Sequence, residues 1–404
     1  MKLLLIHQAF QTESGAGGTR HFEFGQRFVR AGNLFVVVAS DKNYMNAEQI
    51  GESRRRSTIN GITVVYARTP HFIHKGYLWR SVAYLLYMFS TFWIAMRERK
   101  IDLVMGTSPS LFQAFSAASV AMLKRKPFLL EIRDLWPDFA IDMGIVKSRF
   151  LIMIARQVES FIYWRADHIL VNSPAYIDYM LGRGISREKV SLIPNGVDPA
   201  MFNTKSDGRS FRREFDLENC FVATYAGAVG QANDISTIVN AAERLAVSDP
   251  EIRFLIVGGG KAQEEIKKLI ADKNLSNVLM VGTRPKSEMS RILAASDVCV
   301  ATLLNIPMFK LVYPNKVFDY MAAGKPIVLG IDGVIRDVVE KSKCGLFFDP
   351  GDDGKLAESI KWMKEDLDEA KRMGTRGRAY VAEHFNRDVH SREFLALTQS
   401  LVKE

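Results

Sequence analysis

The sequence predicts an α/β protein of two successive domains, each a parallel sheet wound with helices. Three observations carry this prediction. Runs such as residues 2–6, 34–39, 221–226 and 252–257 are apolar without alternation, the composition of strands covered on both faces. Most runs lead through glycine into a helical pattern, and that strand–helix–strand order makes neighbouring strands parallel. The series occurs twice, and 404 residues exceed one compact core, so two domains of about 200 residues are expected.

The first series opens with strand 2–6, whose single lysine and short apolar run do not make a signal peptide. The turn Gly15-Ala-Gly-Gly18 follows, then a helical pattern in Phe22, Phe24, Phe28 and Val29 that stops at Gly32, then strand 34–39. Residues 42–60 are polar and include Arg54-Arg-Arg56, so they read as a solvated loop leaving the sheet. Strand 62–67 precedes the most hydrophobic stretch of the chain, residues 82–96. It is shorter than the roughly 20 residues of a membrane span. It reads either as a buried helix or as one lying in a membrane interface, because Lys75, Arg80, Arg97, Arg99 and Lys100 flank it. Strand 102–106, helix 110–123, strand 128–132, the loop 133–137, helix 149–165 and strands 168–172 and 190–193 complete the series.

Asn195-Gly-Val-Asp198 and the polar residues 203–210 mark the boundary. The expected domains are 1–200 and 201–385, with a closing helix over 386–404 that packs back toward the first. The second series runs through strand 221–226, helix 233–247, strand 252–257, helix 261–272, strand 277–281, helix 287–295 and strand 297–302. It then reaches Pro307-Met-Phe-Lys-Leu-Val-Tyr-Pro-Asn-Lys-Val-Phe-Asp-Tyr-Met-Ala-Ala-Gly-Lys-Pro326, read as a loop, a helix over 315–323 ended by Gly324, and a strand over 326–330. Strand 345–348 and C-terminal helices follow.

Chemistry concentrates at the strand-to-helix junctions. The glycines at 15–18, 227–230 and 258–260 let backbone approach a phosphate or sugar, or simply satisfy tight turns. The first group departs from the dinucleotide fingerprint, since Arg20 holds the third glycine position. Lys261 follows Gly260, where a point charge can neutralise a diphosphate or remain an exposed first-turn residue. Asn315 and Lys316 sit at a helix N-terminus that favours an anion, and Asp319 lies one turn on along the same face. No histidine pair has metal-ligand spacing, and Cys220, Cys299 and Cys344 are far apart, as in a reducing compartment. Neither a metal nor a cofactor is expected, so cations and backbone amides must stabilise any anionic leaving group. No serine elbow points to a hydrolase. The net charge of +9 permits attraction to anionic lipid, nucleic acid or phosphorylated small molecules.

Several segments together resemble the family 4 glycosyltransferases: Gly17-Gly18, Glu131-Ile-Arg-Asp-Leu-Trp-Pro137, Ala166-Asp-His-Ile-Leu-Val-Asn-Ser173, Ile193-Pro-Asn-Gly-Val-Asp198, Tyr225-Ala-Gly227, Val257-Gly-Gly-Gly260 and Pro314-Asn-Lys-Val-Phe-Asp319. Arg133-Asp-Leu-Trp-Pro137 and Pro314-Asn-Lys316 are similar to the fucosamine-type transferases of bacterial surface polysaccharide synthesis, lipopolysaccharide among them.

The resemblance implies a GT-B fold, two Rossmann-like parallel-sheet domains facing across a cleft. It also implies a retaining, metal-independent transfer from a nucleotide sugar, UDP-linked, to a lipid-linked or oligosaccharide acceptor. Gly17 and Gly18 would approach the donor diphosphate or the acceptor, Gly227, Gly259 and Gly260 would line the donor, Thr283 and Arg284 its base, and Phe309, Leu311, Val312 and Asn315 the loop around it. Asp319 takes the second acidic position of the family's motif and would bind the ribose. Lys261 and Lys316 would stabilise the leaving diphosphate. Asp134 would contact the transferred sugar or receive the acceptor proton, or else caps the turn before Trp136. Leu311 departs from the motif, standing where its first acid belongs. A cytoplasmic protein peripheral on the cytoplasmic face of an anionic membrane is expected, with no nucleic acid partner. The alternatives are a nucleotide-sugar epimerase of the same fold and a non-catalytic nucleotide-sugar-binding protein.

Overall fold

The apolar runs pair into two separate sheets, as the computed structural model of the chain establishes for residues 1–42, 55–70, 77–202 and 207–403. Backbone contacts divide the protein into one unit of Met1–Thr12, Thr19–Pro194 and Asp388–Glu404 and another of Glu13–Gly18 and Asn195–Arg387.

The first unit contains β1 (Lys2–Ile6), α1 (Arg20–Arg30), β2 (Leu34–Ser40), β3 (Arg56–Ile59), β4 (Ile62–Ala67), α2 (Tyr77–Arg97), β5 (Leu103–Thr107) and α3 (Leu111–Lys124). It continues through β6 (Phe128–Ile132), α4 (Asp138–Asp142), α5 (Arg149–Arg165), β7 (His168–Val171), α6 (Ala175–Gly182) and β8 (Val190–Leu192). The sheet order is β3-β4-β2-β1-β5-β6-β7-β8, and every pair but β3–β4 is parallel. Strand order reverses at β1, flanked by β2 and β5, and open α/β sheets place their ligand sites beyond the carboxyl ends at such a point. Leu3, Leu5, Val37, Leu103, Met105 and Leu129 form its buried centre.

The solvated loop expected over 42–60 is corrected in part. Arg56–Ile59 forms β3, antiparallel to β4, with Ile59 opposite Ile62. Asn60 (φ 50°) and Gly61 (φ 81°) make the two-residue hairpin turn, a signal that outweighs the neighbouring arginines. Arg54 and the rest of 43–54 lie outside the described residues, as does Lys75. The hydrophobic stretch 82–96 extends into the 21-residue α2.

The second unit contains α7 (Arg209–Glu214), β9 (Phe221–Ala226), α8 (Ile235–Leu245), β10 (Ile252–Val257), α9 (Gln263–Asp272), β11 (Val278–Gly282), α10 (Met289–Ala294) and β12 (Val298–Thr302). It continues through α11 (Asn315–Ala322), β13 (Ile327–Gly330), α12 (Val334–Ser342), β14 (Gly345–Phe347), α13 (Asp353–Glu365) and α14 (Leu367–His384). The order β11-β10-β9-β12-β13-β14 is parallel throughout. Three expected helix starts move inward, α10 beginning at Met289 rather than 287 because Lys286–Glu288 forms a 3₁₀ turn. α8 begins at Ile235 because Gln231–Asn233 forms a 3₁₀ turn and Asp234 is left-handed at φ 47°. α9 begins at Gln263, so Lys261 lies in the turn before the helix rather than in its first turn. The closing helix α15 (Arg387–Lys403) stacks Phe394 on Phe24 of α1 at 4.9 Å between ring centroids, within the first unit.

Candidate functional site

In the second unit the carboxyl ends of β9, β10 and β11 meet through backbone. Gly227 N–H donates to the Val257 carbonyl at 2.9 Å, Val229 N–H to Gly259 at 2.9 Å, and Gly258 N–H to Gly282 at 2.8 Å. These approaches explain the glycines. Gly258 (φ 141°) and Gly260 (φ 156°) have no room for a Cβ, which would strike the carbonyls of Gly227 and Val229. Gly259 lies directly against the Thr283 hydroxyl.

α11 forms where the sequence places it, with Pro314 at its N-cap, Val317, Phe318, Tyr320 and Met321 buried, and Gly324 left-handed at φ 68° after its end. Its register turns Lys316 toward β9. The Lys316 ammonium donates to the Tyr225 hydroxyl at 2.8 Å and to Asn233 Oδ1 at 2.9 Å, and sits 4.3 Å from the centre of the Tyr225 ring. Gly227 leaves room for it, since a Cβ there would lie 3.2 Å from Lys316 Cε. Burial lowers the Lys316 pKa to about 7. The Tyr225 hydroxyl donates onward to the Ala228 carbonyl, and the Tyr320 hydroxyl bonds both the N–H and C=O of Ala226, so two tyrosines hold the end of β9.

Asp319, one turn further, is paired with Lys286. Lys286 also lies 5.4 Å from the centre of the Phe202 ring, and its backbone N–H donates to the Gly15 carbonyl at 3.0 Å. Residues 13–18, with Gly17 (φ 127°) and Gly18 exposed, thereby join the loop after β11. Arg284 packs over Phe215 at 5.8 Å, and Glu288 Oε2 is 3.8 Å from its guanidinium. Phe309 is buried and Leu311 half-buried in the 3₁₀ turn Pro307–Leu311, with Val312 and Asn315 half-buried beyond it.

The first unit holds a second polar centre, at the ends of β1, β5 and β6. Glu131 is fully buried and receives Arg20 Nε at 2.8 Å, His21 Nε2 at 2.5 Å and Thr107 Oγ1 at 3.1 Å. Burial alone would raise the Glu131 pKa, but His21, Arg20 and Arg133 outweigh it and hold the carboxyl well below its ordinary range. His7 stacks edge-on to His21 at 4.5 Å, and burial, aided by His21 and Arg133, keeps its pKa well below the usual value against the pull of Glu131. His7 Nδ1 is buried without a hydrogen-bond partner. Asp134 N–H donates to Ser108 Oγ at 3.0 Å, and burial pushes its carboxyl pKa up although Arg133 opposes this.

Of the residues named from sequence, the structure brings together Lys316 with Gly227, Gly259 with Thr283, and the 13–18 turn with the loop after β11. Lys261 is an exposed turn residue, and Asp134 belongs to the first unit's centre. Sequence reasoning missed Lys286, Tyr225 and Asn233 as partners of the two charged α11 residues, and missed that Arg20, His7, His21 and Glu131 form one centre. The available signal was Glu131, a charged residue inside the otherwise apolar strand run 128–132. Among the described residues no group of three or more His, Cys, Asp or Glu is placed to hold a metal.

Two parallel-sheet units with glycine-lined strand ends define the GT-B class of fold, and comparisons with known proteins agree. The description "Glycosyl transferase 4-like domain" matches residues 17–196 and "Glycosyl transferases group 1" matches residues 209–380. WcaI of Escherichia coli strain K12, named for colanic acid biosynthesis, is 24% identical over 242 residues, 58% of this chain and 59% of that protein. The "Probable glycosyltransferase WbjE" of Pseudomonas aeruginosa is 25% identical over 326 residues, 77% of this chain and 78% of that protein. The Anabaena HepE structure, holding UDP and glucose, superposes with a TM-score of 0.75 at 19% identity over 99% of both chains. The chain belongs to the family 4 glycosyltransferases.

Proposed function

We propose that this chain transfers a sugar, with retention of configuration, from a UDP sugar to a lipid-linked or oligosaccharide acceptor in bacterial surface polysaccharide or glycolipid synthesis. The work takes place at the cytoplasmic face of the membrane. The second unit holds the donor and the first the acceptor. The carrying observation is the Lys316 ammonium, desolvated beside glycine-lined strand ends, where a diphosphate would supply the counter-charge it lacks. UDP in the HepE structure supports the choice of base, and the fucosamine-type motifs support the choice of pathway.

In the reaction the C1–O bond to the diphosphate breaks, its electron pair leaving on oxygen, while the acceptor oxygen bonds C1 on the same face. The acceptor proton passes to the departing diphosphate or to Asp134, whose raised pKa suits a proton acceptor. Lys316 and Lys261 stabilise the leaving charge. Asp319 exchanges its Lys286 partner for ribose hydroxyls, and the released ammonium then lies beside the bound nucleotide. With Leu311 at the missing acid, backbone amides of the 309–312 turn or other side chains are left to hold the sugar.

Calorimetric titration with UDP, GDP and ADP tests the donor side. UDP is expected to bind most tightly, and Lys316→Ala to weaken it about 10- to 100-fold, as loss of a charged hydrogen bond predicts. Wild-type affinity in Lys316→Ala would place the donor elsewhere. Incubating UDP sugars without acceptor should leave the donor sugar's configuration intact; an epimerised donor would turn the reading to the epimerase.

A further inference from the structure

The helix layer formed by α2, α3 and α5 in the first unit has two features that sugar transfer does not use. The first is an apolar face turned to solvent. α2 buries Ala83, Tyr87, Thr91 and Ala95, one stripe at helical spacing. Its other stripe is just as hydrophobic, and Val82, Leu86, Phe89 and Trp93 are 42%, 49%, 57% and 61% exposed. α3 packs against both α2 and α5, and Leu123 of α3 and Phe150 and Trp164 of α5 are exposed as well, the last at 72%. Apolar surface of this extent marks an interaction site.

The second feature is a groove of about 550 Å³ at the C-terminal ends of α2 and α3. Arg97, Arg99, Lys100, Lys124 and Lys126 line it together with Glu98 and Asp102. The acids are already engaged. Lys2 Nζ is 3.0 Å from Glu98, which Arg56 also contacts, and Asp102 accepts the Lys2 backbone N–H at 2.7 Å. Lys124 is turned inward to the carbonyls of Met96 and Glu98, so Arg97, Arg99 and Lys100 are the exposed cations. The groove adjoins the apolar face directly: Trp93 stands one turn before Arg97, and Leu123 immediately precedes Lys124.

We propose that this groove binds the phosphate of an anionic membrane lipid while the adjoining α2–α3–α5 face rests in the bilayer interface. Amphipathic tryptophans beside cations, next to apolar side chains, match the layered chemistry of that interface. No helix among the described residues is long and apolar enough to cross a membrane, so the face lies on the bilayer rather than through it. A second copy of this chain is the poorer occupant, since pairing the face with itself brings two rims of like charge together. The inference deepens the membrane part of the proposed function and relies on that reading only for why the acceptor is lipid-linked.

The test uses the full chain with vesicles of phosphatidylglycerol or phosphatidylcholine, sedimented at about 0.1 M and about 1 M salt, where charges are screened beyond ~10 Å and ~3 Å respectively. Binding to phosphatidylglycerol, weakened at high salt, is expected, with little binding to phosphatidylcholine. Arg99→Glu/Lys100→Glu and Phe89→Ser/Trp93→Ser should each lower vesicle affinity by about tenfold or more. Millimolar glycerol phosphate should not release the protein; full release would show that a soluble phosphate is the ligand and overturn the lipid assignment. Absence of binding at low salt, undiminished binding of the charge-reversed protein, or self-association that disappears in Phe89→Ser/Trp93→Ser without vesicle binding would each overturn the proposal. UDP titration of the same samples separates the two readings. Wild-type protein that binds UDP but no vesicle sinks only this inference, and protein that binds vesicles but no nucleotide sinks only the donor site. Unchanged thermal midpoints in both variants exclude unfolding as the cause of lost binding.

Discussion

Lys316 and Glu131 show how burial sets the working state of single side chains in opposite ways. Lys316 is desolvated beside neutral partners and titrates near 7, so at higher pH the free protein carries a neutral amine. A bound diphosphate favours the ammonium, so binding above pH 7 takes up a proton. UDP affinity should therefore fall as pH rises from 7, by up to about tenfold per unit, and Lys316→Ala should flatten the profile. Calorimetry in buffers of different ionisation enthalpy reads that proton directly. Glu131 is ionised against burial by the Arg20 charge and the His21 hydrogen bond, while burial lowers the pKa of both His7 and His21. All three have folded pKa values below their unfolded ones, so the unfolded chain binds more protons on the acid side. Stability is lost as pH falls, first through the unfolded histidine range near ~6.5 and then through the carboxylate range near ~4.3. Glu131→Gln leaves the Arg20 charge buried without its counter-ion and should cost about 3–5 kcal/mol at neutral pH, measurable by denaturant unfolding.

At the scale of elements, the strands and most helices were legible because uninterrupted apolar runs and glycine or proline stops speak locally. α11 is the clearest case, with Pro314, its buried face and Gly324 all visible in order. β3 was hidden because the charge of Arg54-Arg-Arg56 spoke louder than Asn60-Gly61. The partners of α11 were not legible, because Tyr225 and Asn233 reach it from β9 and the turn after it and Lys286 from beyond β11, and no local pattern records which side chains converge. The reason for the glycines also changed. Gly258 and Gly260 are dictated by neighbouring backbone, whatever ligand lies above them. Gly258→Ala should therefore destabilise the second unit by about 1–3 kcal/mol even without nucleotide, as overpacking predicts. Gly333→Ala, whose Cβ would meet the Lys310 carbonyl at φ 90°, should disturb the 307–312 turn and weaken donor binding more than it lowers the melting midpoint.

At the scale of the molecule, each unit buries its own core, so heating should resolve two transitions in differential scanning calorimetry. UDP at about 100 times its Kd should stabilise the one that contains Lys316 by about 2.7 kcal/mol, and acidification from pH 7 to 5.5 should lower chiefly the other. A single transition that both treatments move equally would contradict this separation. The first unit is also discontinuous, since its final helix returns after the whole second unit and places Phe394 on Phe24. On the ribosome, that pairing waits for Phe394 to emerge, about 20–70 s after Phe24 at roughly 5–20 residues per second. The first unit is thus completed only after the second has been made, and Phe24 waits that long for the ring that stacks on it, which makes α1 the segment for which a nascent-chain chaperone has the longest opportunity.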